Sequence, residues 1–169
     1  MVKGAKLAIS GLAMLFLFSG CRHYGPYDVE MKVGADMTGR SVQVDVVGIN
    51  EADYDVWYAY SLSEYWKPGN SLRRDAERYK ETFRFGISKS SVQELSIRNE
   101  LWDRWEERGC RYLFVLADLG RNLQDLPGSA DPRRLILPLN SKHWDGRQLS
   151  IVVEPSSIRL LTPMKKRSQ

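Results

Sequence analysis

Between Ser41 and Leu161 the apolar residues come in short runs that alternate with polar residues or stand alone, cut by Gly, Pro, Asn and Asp. A chain patterned this way buries its apolar side by pairing strands into sheets. From Ser41 to Ile49, Val42, Val44 and Val46 alternate with Gln43, Asp45 and Val47, the period of a half-buried strand. Val56 to Tyr60 reads as a second strand from its β-branched and aromatic content. Phe83 to Ile87 is a candidate third strand, and Val92 to Ile97 a fourth or the approach to the next helix. Arg111 to Leu119 is a near-continuous apolar run, Tyr112-Leu113-Phe114-Val115-Leu116-Ala117, which fits a central strand covered on both faces. Arg134 to Leu139, Leu149 to Glu154 and Ile158 to Leu161 close the set, with Pro138 and Pro155 at strand ends.

Helical signals are fewer. Ser61-Leu62-Ser63-Glu64 matches the S-x-x-E capping box, and Lys67-Pro68-Gly69-Asn70 stops whatever it starts. Ser71 is a second candidate cap, followed by Leu72, Ala76, Tyr79 and Phe83 at spacings of three and four, which predicts an amphipathic helix ending near Lys80. Asn99 to Arg108 carries Leu101, Trp102 and Trp105 on one side and has Gly109 where a helix C-terminus wants it. The expected fold is therefore mainly β, a β-sandwich with one or two inserted helices.

Ahead of this pattern lies a segment of a different kind. Lys3 and Lys6 precede an apolar run from Leu7 to Phe18, and small residues then lead into Cys21. A run this short suits the core of an export signal, since spanning a bilayer takes about 20 residues. Leu17-Phe18-Ser19-Gly20-Cys21 resembles the lipobox of bacterial lipoproteins, with Phe18 where Leu is usual. The resemblance implies cleavage after Gly20 and a diacylglycerol on the Cys21 thiol. Arg22 follows, not the Asp associated with inner-membrane retention, which favours the outer membrane with the domain facing the periplasm. The expected division is residues 1–20 signal peptide, 21–39 lipidated cysteine and tether with one short strand at Val29 to Val33, 40–163 one sandwich domain and 164–169 a basic tail.

Composition narrows function mainly by exclusion. Loss of the signal would remove Lys3 and Lys6 and no acid, so the formal charge falls from +4 to +2 and a nucleic-acid footprint is not expected. Cys110 would then be the remaining thiol; it has no disulfide partner and reads as an inert core residue. His23 and His143 make a poor ligand set, so neither metal nor cofactor is expected. There is no G-x-S-x-G elbow and no phosphate or dinucleotide loop, and no enzymatic activity is expected. Asp118, at the end of the apolar strand, reads as capping that strand or pairing with Arg121, Arg133 or Arg134. The aromatic stretch Trp57, Tyr58, Tyr60, Tyr65 and Trp66 is the strongest binding signal, because Tyr and Trp bury large area and keep a polar handle. Tyr65 and Trp66, beside the Pro68-Gly69 turn, are the expected exposed members.

Taken together, the lipobox, the short Gly-containing tether and a strand preceded by Gly39-Arg40-Ser41 resemble the type VI secretion lipoprotein family. The parallel extends to the strand Tyr112 to Leu119 and to Trp144 followed by the closing strands. The polar middle Leu72 to Arg108 and the loop Asp131-Pro132-Arg133-Arg134 depart from that family's pattern. The resemblance implies a transthyretin-like sandwich, an outer-membrane lipid anchor, and a non-catalytic role in holding a secretion complex through an envelope protein partner. The rival reading is a lipid-anchored glycan- or peptidoglycan-binding protein that uses the aromatic stretch.

Overall fold

The computed structural model describes residues 25–120 and 123–165. Cys21 and the signal segment lie outside the described residues, as do Arg121, Asn122 and residues 166–169. Two four-stranded sheets face one another. The first runs β4 (Val92–Leu95), β1 (Asp28–Val33), β7 (Gln148–Val153), β8 (Ile158–Leu160); the second runs β3 (Lys80–Phe85), β2 (Val42–Ile49), β5 (Tyr112–Ala117), β6 (Arg134–Pro138). Every pairing is antiparallel except β1 with β7, which run parallel from Asp28↔Gln148 to Val33↔Val153. This is a β-sandwich, as the alternation predicts.

Four short helices accompany the sheets among the described residues: α1 (Tyr54–Ala59), α2 (Leu62–Tyr65), α3 (Ser71–Asp75) and α4 (Leu101–Glu107). The main core lies between the sheets and includes Val44, Val46, Leu113, Val115, Leu149, Ile151 and Val153. A second apolar cluster fills the space between the outer face of β2 and β5 and the insertion α1–α3; Val47, Ile49, Phe114 and Leu116 meet Trp57, Leu62, Tyr65 and Ala76 there. The insertion explains why β5 is apolar throughout. It also changes the reading of β2, whose second face, with Asp45 and Val47, is buried and not solvated.

Several expectations need correction. Val56 to Tyr60 is helical, not a strand. Asn50 Oδ1 accepts from Asp53 N at 2.9 Å at its start, and helical spacing lets Tyr54 and Tyr58 stack at 5.8 Å while Trp57 turns down onto Phe114 at 6.3 Å. Those contacts outweigh the β preference of the residues. The helix after the Pro68-Gly69 turn is capped by Asn70, whose side chain accepts from Arg73 N, and not by Ser71; it ends at Asp75 and a 3₁₀ turn, Glu77–Tyr79, carries the chain into β3. Ser61 does cap α2, accepting from Glu64 N.

The short strand expected at Val29 to Val33 is present as β1, and it is part of the packed sandwich. Val29 and Met31 of β1 are fully buried, and the strand is hydrogen-bonded on both sides, so the packed domain takes in residues assigned to the tether. Tyr27 is 1% exposed and lies edge-on to Trp102 and Trp144. A Tyr locked in an aromatic cluster cannot belong to a flexible stalk. α4 closes this end of the sandwich: Trp105 is fully buried, and a Cβ on Gly48 would sit 2.3 Å from its ring, so only glycine fits that point of β2. Gly109 follows α4 with φ +67°, as expected for the helix C-terminus.

Candidate partner-binding site

The insertion α1–α3 presents the aromatic stretch, and the structure separates its two expected members. Tyr65 is 1% exposed, so the expectation of an exposed ring is overturned. Its hydroxyl donates to Asp45 Oδ2 at 2.9 Å beneath the helices. Burial, reinforced by the neighbouring Asp45 carboxylate, holds the Tyr65 hydroxyl far above its ordinary range and fixes it as a donor. Asp45 also accepts from Arg73 Nε at 2.8 Å and from Thr82 Oγ1 at 2.7 Å. A carboxylate with no exposed surface is thus satisfied by three side chains from α2, α3 and β3, as a buried charge requires. Tyr65 is a pillar of this network and joins the insertion to the sheet.

Trp66, the next residue, is half-buried: it packs against the second apolar cluster, and its Nε1 is buried with no hydrogen-bond partner. The Arg73 guanidinium lies over its ring at 4.5 Å from the centroid, a favourable cation–π geometry. With Leu62, Ser63, Lys67, Asp118, Leu119, Gly120 and Arg133 it lines a groove of about 250 Å³. The groove therefore combines an indole, an ammonium and leucine side chains. Trp57 is buried, while Tyr58 is 39% exposed and packs against Gly128, where a Cβ would lie 2.1 Å from the ring.

The floor of the groove is held by charges that the sequence reading distributed differently. Arg133 is 2% exposed and donates to both oxygens of Asp131, at 2.9 and 2.7 Å, and to Asp125 Oδ1 at 2.6 Å. Asp125 also accepts from Ser61 Oγ at 2.5 Å and from Ser63 N and Oγ, both at 3.0 Å. It ties the start of α2 to the loop before β6. Arg134 donates to the carbonyls of Tyr58 and Tyr60. Asp118 is exposed on the groove rim, and both Arg133 and Arg134 are engaged elsewhere, so the expected pairing with either is not formed. Cys110 is buried, and burial pushes its thiol up to about 11, in keeping with an inert core residue.

These carboxylates give the domain an acid limit with a definite sign. Burial pushes Asp125 up, but hydrogen bonds from Ser61, Ser63 and Arg133 outweigh it and bring the group from 3.8 down to about 2; Asp131 is lowered in the same direction by Arg133. A depressed native pKa contributes stability in full above the unfolded value and loses it as pH falls through the native one. Melting temperature is expected to fall steadily between about pH 4 and pH 2. Asp125→Asn should flatten part of that slope; an unchanged slope would remove Asp125 from the explanation.

The architecture places the chain among two-sheet sandwiches with a helical insertion on one sheet. No family model matches it, and no curated protein matches it. Solved structures do. A structure described as the type VI secretion system protein TssM C-terminal domain from EAEC aligns with a TM-score of 0.51 at 11% identity, covering 80% of this chain and 99% of that one. Lip of Serratia marcescens, a membrane-bound component of the type VI secretion system, gives 0.46 at 12% identity over 80% and 96% of the two chains. The type VI lipoprotein TssJ1 of Pseudomonas aeruginosa gives 0.47 at 10% identity over 86% and 99%. At 11% identity the likeness to the first of these is one of fold.

Proposed function

We propose that this chain is a lipid-anchored, non-catalytic scaffold of the cell envelope, which holds a type VI-like secretion assembly at the outer membrane by protein–protein contact. The observation that carries the reading is the junction between Cys21 and the domain. A lipobox cysteine is followed by five residues, Arg22 to Pro26, before Tyr27 enters the packed sandwich. Such a chain holds a rigid body within about 20 Å of its lipid, given a reach of at most 3.3–3.6 Å per residue. The buried charges support the same reading, because Asp45, Asp131 and Arg133 are spent on structural partners. The partner would be the periplasmic part of an inner-membrane protein, contacting loops of the sandwich and the groove beside Trp66. The rival glycan-binding reading requires a platform of exposed rings, and the burial of Trp57 and Tyr65 leaves Tyr58 exposed with Tyr60 and Trp66 half-buried.

The test is cross-linking of the lipidated protein in intact cells, followed by purification from membranes. Recovery of an inner-membrane secretion component, reduced in Trp66→Ala, is expected; recovery of no large envelope protein would contradict the proposal. Retention on a peptidoglycan column that is lost in Trp66→Ala would favour the rival.

A further inference from the structure

The parallel pairing of β1 with β7 gathers particular residues around the point where the tether enters. Asp28 N donates to Arg147 O at 2.8 Å, and Tyr27 packs on Trp144, so the loop 139–147 lies beside the tether's exit. The segment after β8 returns to the same place: Trp144 and Met164 form a β-bridge, and Lys165 N donates to His143 O at 2.9 Å. In these two segments Lys142, Arg147 and Lys165 are exposed, with Asp145 pairing with Lys165 at 3.1 Å, while the exposed carboxylates of α4 at the same end, Asp103, Glu106 and Glu107, lie on a separate element. In sequence Lys166 and Arg167 follow directly. Two apolar side chains stand exposed among these cations, Leu161 at 40% and Met164 at 46%.

We infer that this end of the sandwich is a membrane-facing surface, on which Lys142, Arg147 and Lys165 meet anionic phospholipid headgroups while Leu161 and Met164 enter the interfacial layer. The inference rests on the anchored reading above. Three features converge on it. The tether's reach of about 20 Å keeps this end near the headgroups whatever the domain's orientation. Exposed cations attract an anionic leaflet within about a Debye length. Apolar side chains set among Lys and Arg are the composition of surfaces that lie in a membrane interface. With this end against the headgroups, the opposite end, with the β3–β4 turn and Lys89, lies farther out by the length of β1, six residues and so about 20 Å, and is open to a partner.

The lipidated protein is reconstituted into vesicles of phosphatidylcholine alone or with phosphatidylglycerol, and a fluorophore is placed on Ser141→Cys or Lys89→Cys. Cys110 is buried and does not compete for the label. Energy transfer to a headgroup-labelled lipid is expected to be greater from position 141 than from 89. The difference should grow with phosphatidylglycerol and shrink when salt rises from about 0.1 to 1 M, as the Debye length contracts from about 10 to about 3 Å. Each of Lys142→Gln, Arg147→Gln and Lys165→Gln should weaken the apposition about fivefold. Equal transfer from both positions, or transfer indifferent to headgroup charge, salt and these substitutions, overturns the inference while leaving the anchor intact. Failure of the protein to float with either vesicle overturns the anchored reading and this inference with it.

Discussion

Arg133→Ala is expected to cost about 3–5 kcal/mol of unfolding free energy, the range for breaking a buried ion pair from one side. Asp131 has no exposed surface, and its remaining donors are the backbone N–H groups of residue 133 at 3.0 Å and Leu126 at 3.3 Å. Without the guanidinium a carboxylate is left buried and largely unpaired, and the volume of a long side chain is lost as well. The exposed Lys67–Glu64 pair sets the contrast: at 61% and 54% exposure its loss should cost no more than about 1 kcal/mol. Chemical denaturation of the two variants tests the difference. An Arg133→Ala loss below about 1 kcal/mol would mean that the loop relaxes to hydrate Asp131. Asp125 links Arg133 to Ser61 and Ser63, so the same substitution should also loosen α2 and displace the groove beside Trp66.

How far the sequence speaks for the structure depends on whether a residue's neighbours are local. β2, β5 and α4 are legible because their own periodicity carries the information: Val42, Val44 and Val46 point to one face, and Leu101, Trp102 and Trp105 to one side of a helix that ends at Gly109. The segment 54–60 is not legible, since Val, Trp and Tyr favour strands and only the face offered by Phe114 and Leu116 makes a helix preferable. The same missing knowledge sends Tyr65 to the surface in the sequence reading. Nothing in its neighbourhood announces that Asp45, twenty residues earlier, waits beneath it for a donor. A polar residue on the solvent side of a strand pattern is ordinary, and it becomes a buried anchor only once another element lies over it.

β1 is legible as a short strand but not as part of the packed domain. Gly25, Pro26, Gly34 and Gly39 suggest a flexible stalk, yet Val29 and Met31 between them have the alternation of a strand, and β1 joins β4 to β7 in the first sheet. Its parallel partner follows more than a hundred residues later, beyond the range of any local pattern. For the candidate site, Trp66 was visible as an aromatic beside a turn, whereas Arg133 and Asp131 read as part of a polar loop. The buried guanidinium clamp is a tertiary fact, although the D-x-R spacing that lets Asp131 accept from both the backbone and the side chain of Arg133 was present as a signal.

The second large effect concerns Cys21. A single acyl chain gives marginal, reversible membrane binding, and each buried CH₂ contributes about 0.8 kcal/mol, so stable anchoring requires the two or three chains that a lipobox cysteine would carry. Removing the thiol is therefore expected to abolish membrane retention, with the fold untouched because the sandwich begins at Tyr27. The direct measurement is metabolic labelling with a palmitate analogue, followed by separation of outer-membrane and soluble fractions. The wild type should be labelled and recovered with the outer membrane, while Cys21→Ala should carry no label and leave that fraction. Equal labelling and equal outer-membrane recovery of the two proteins would contradict the anchored scaffold.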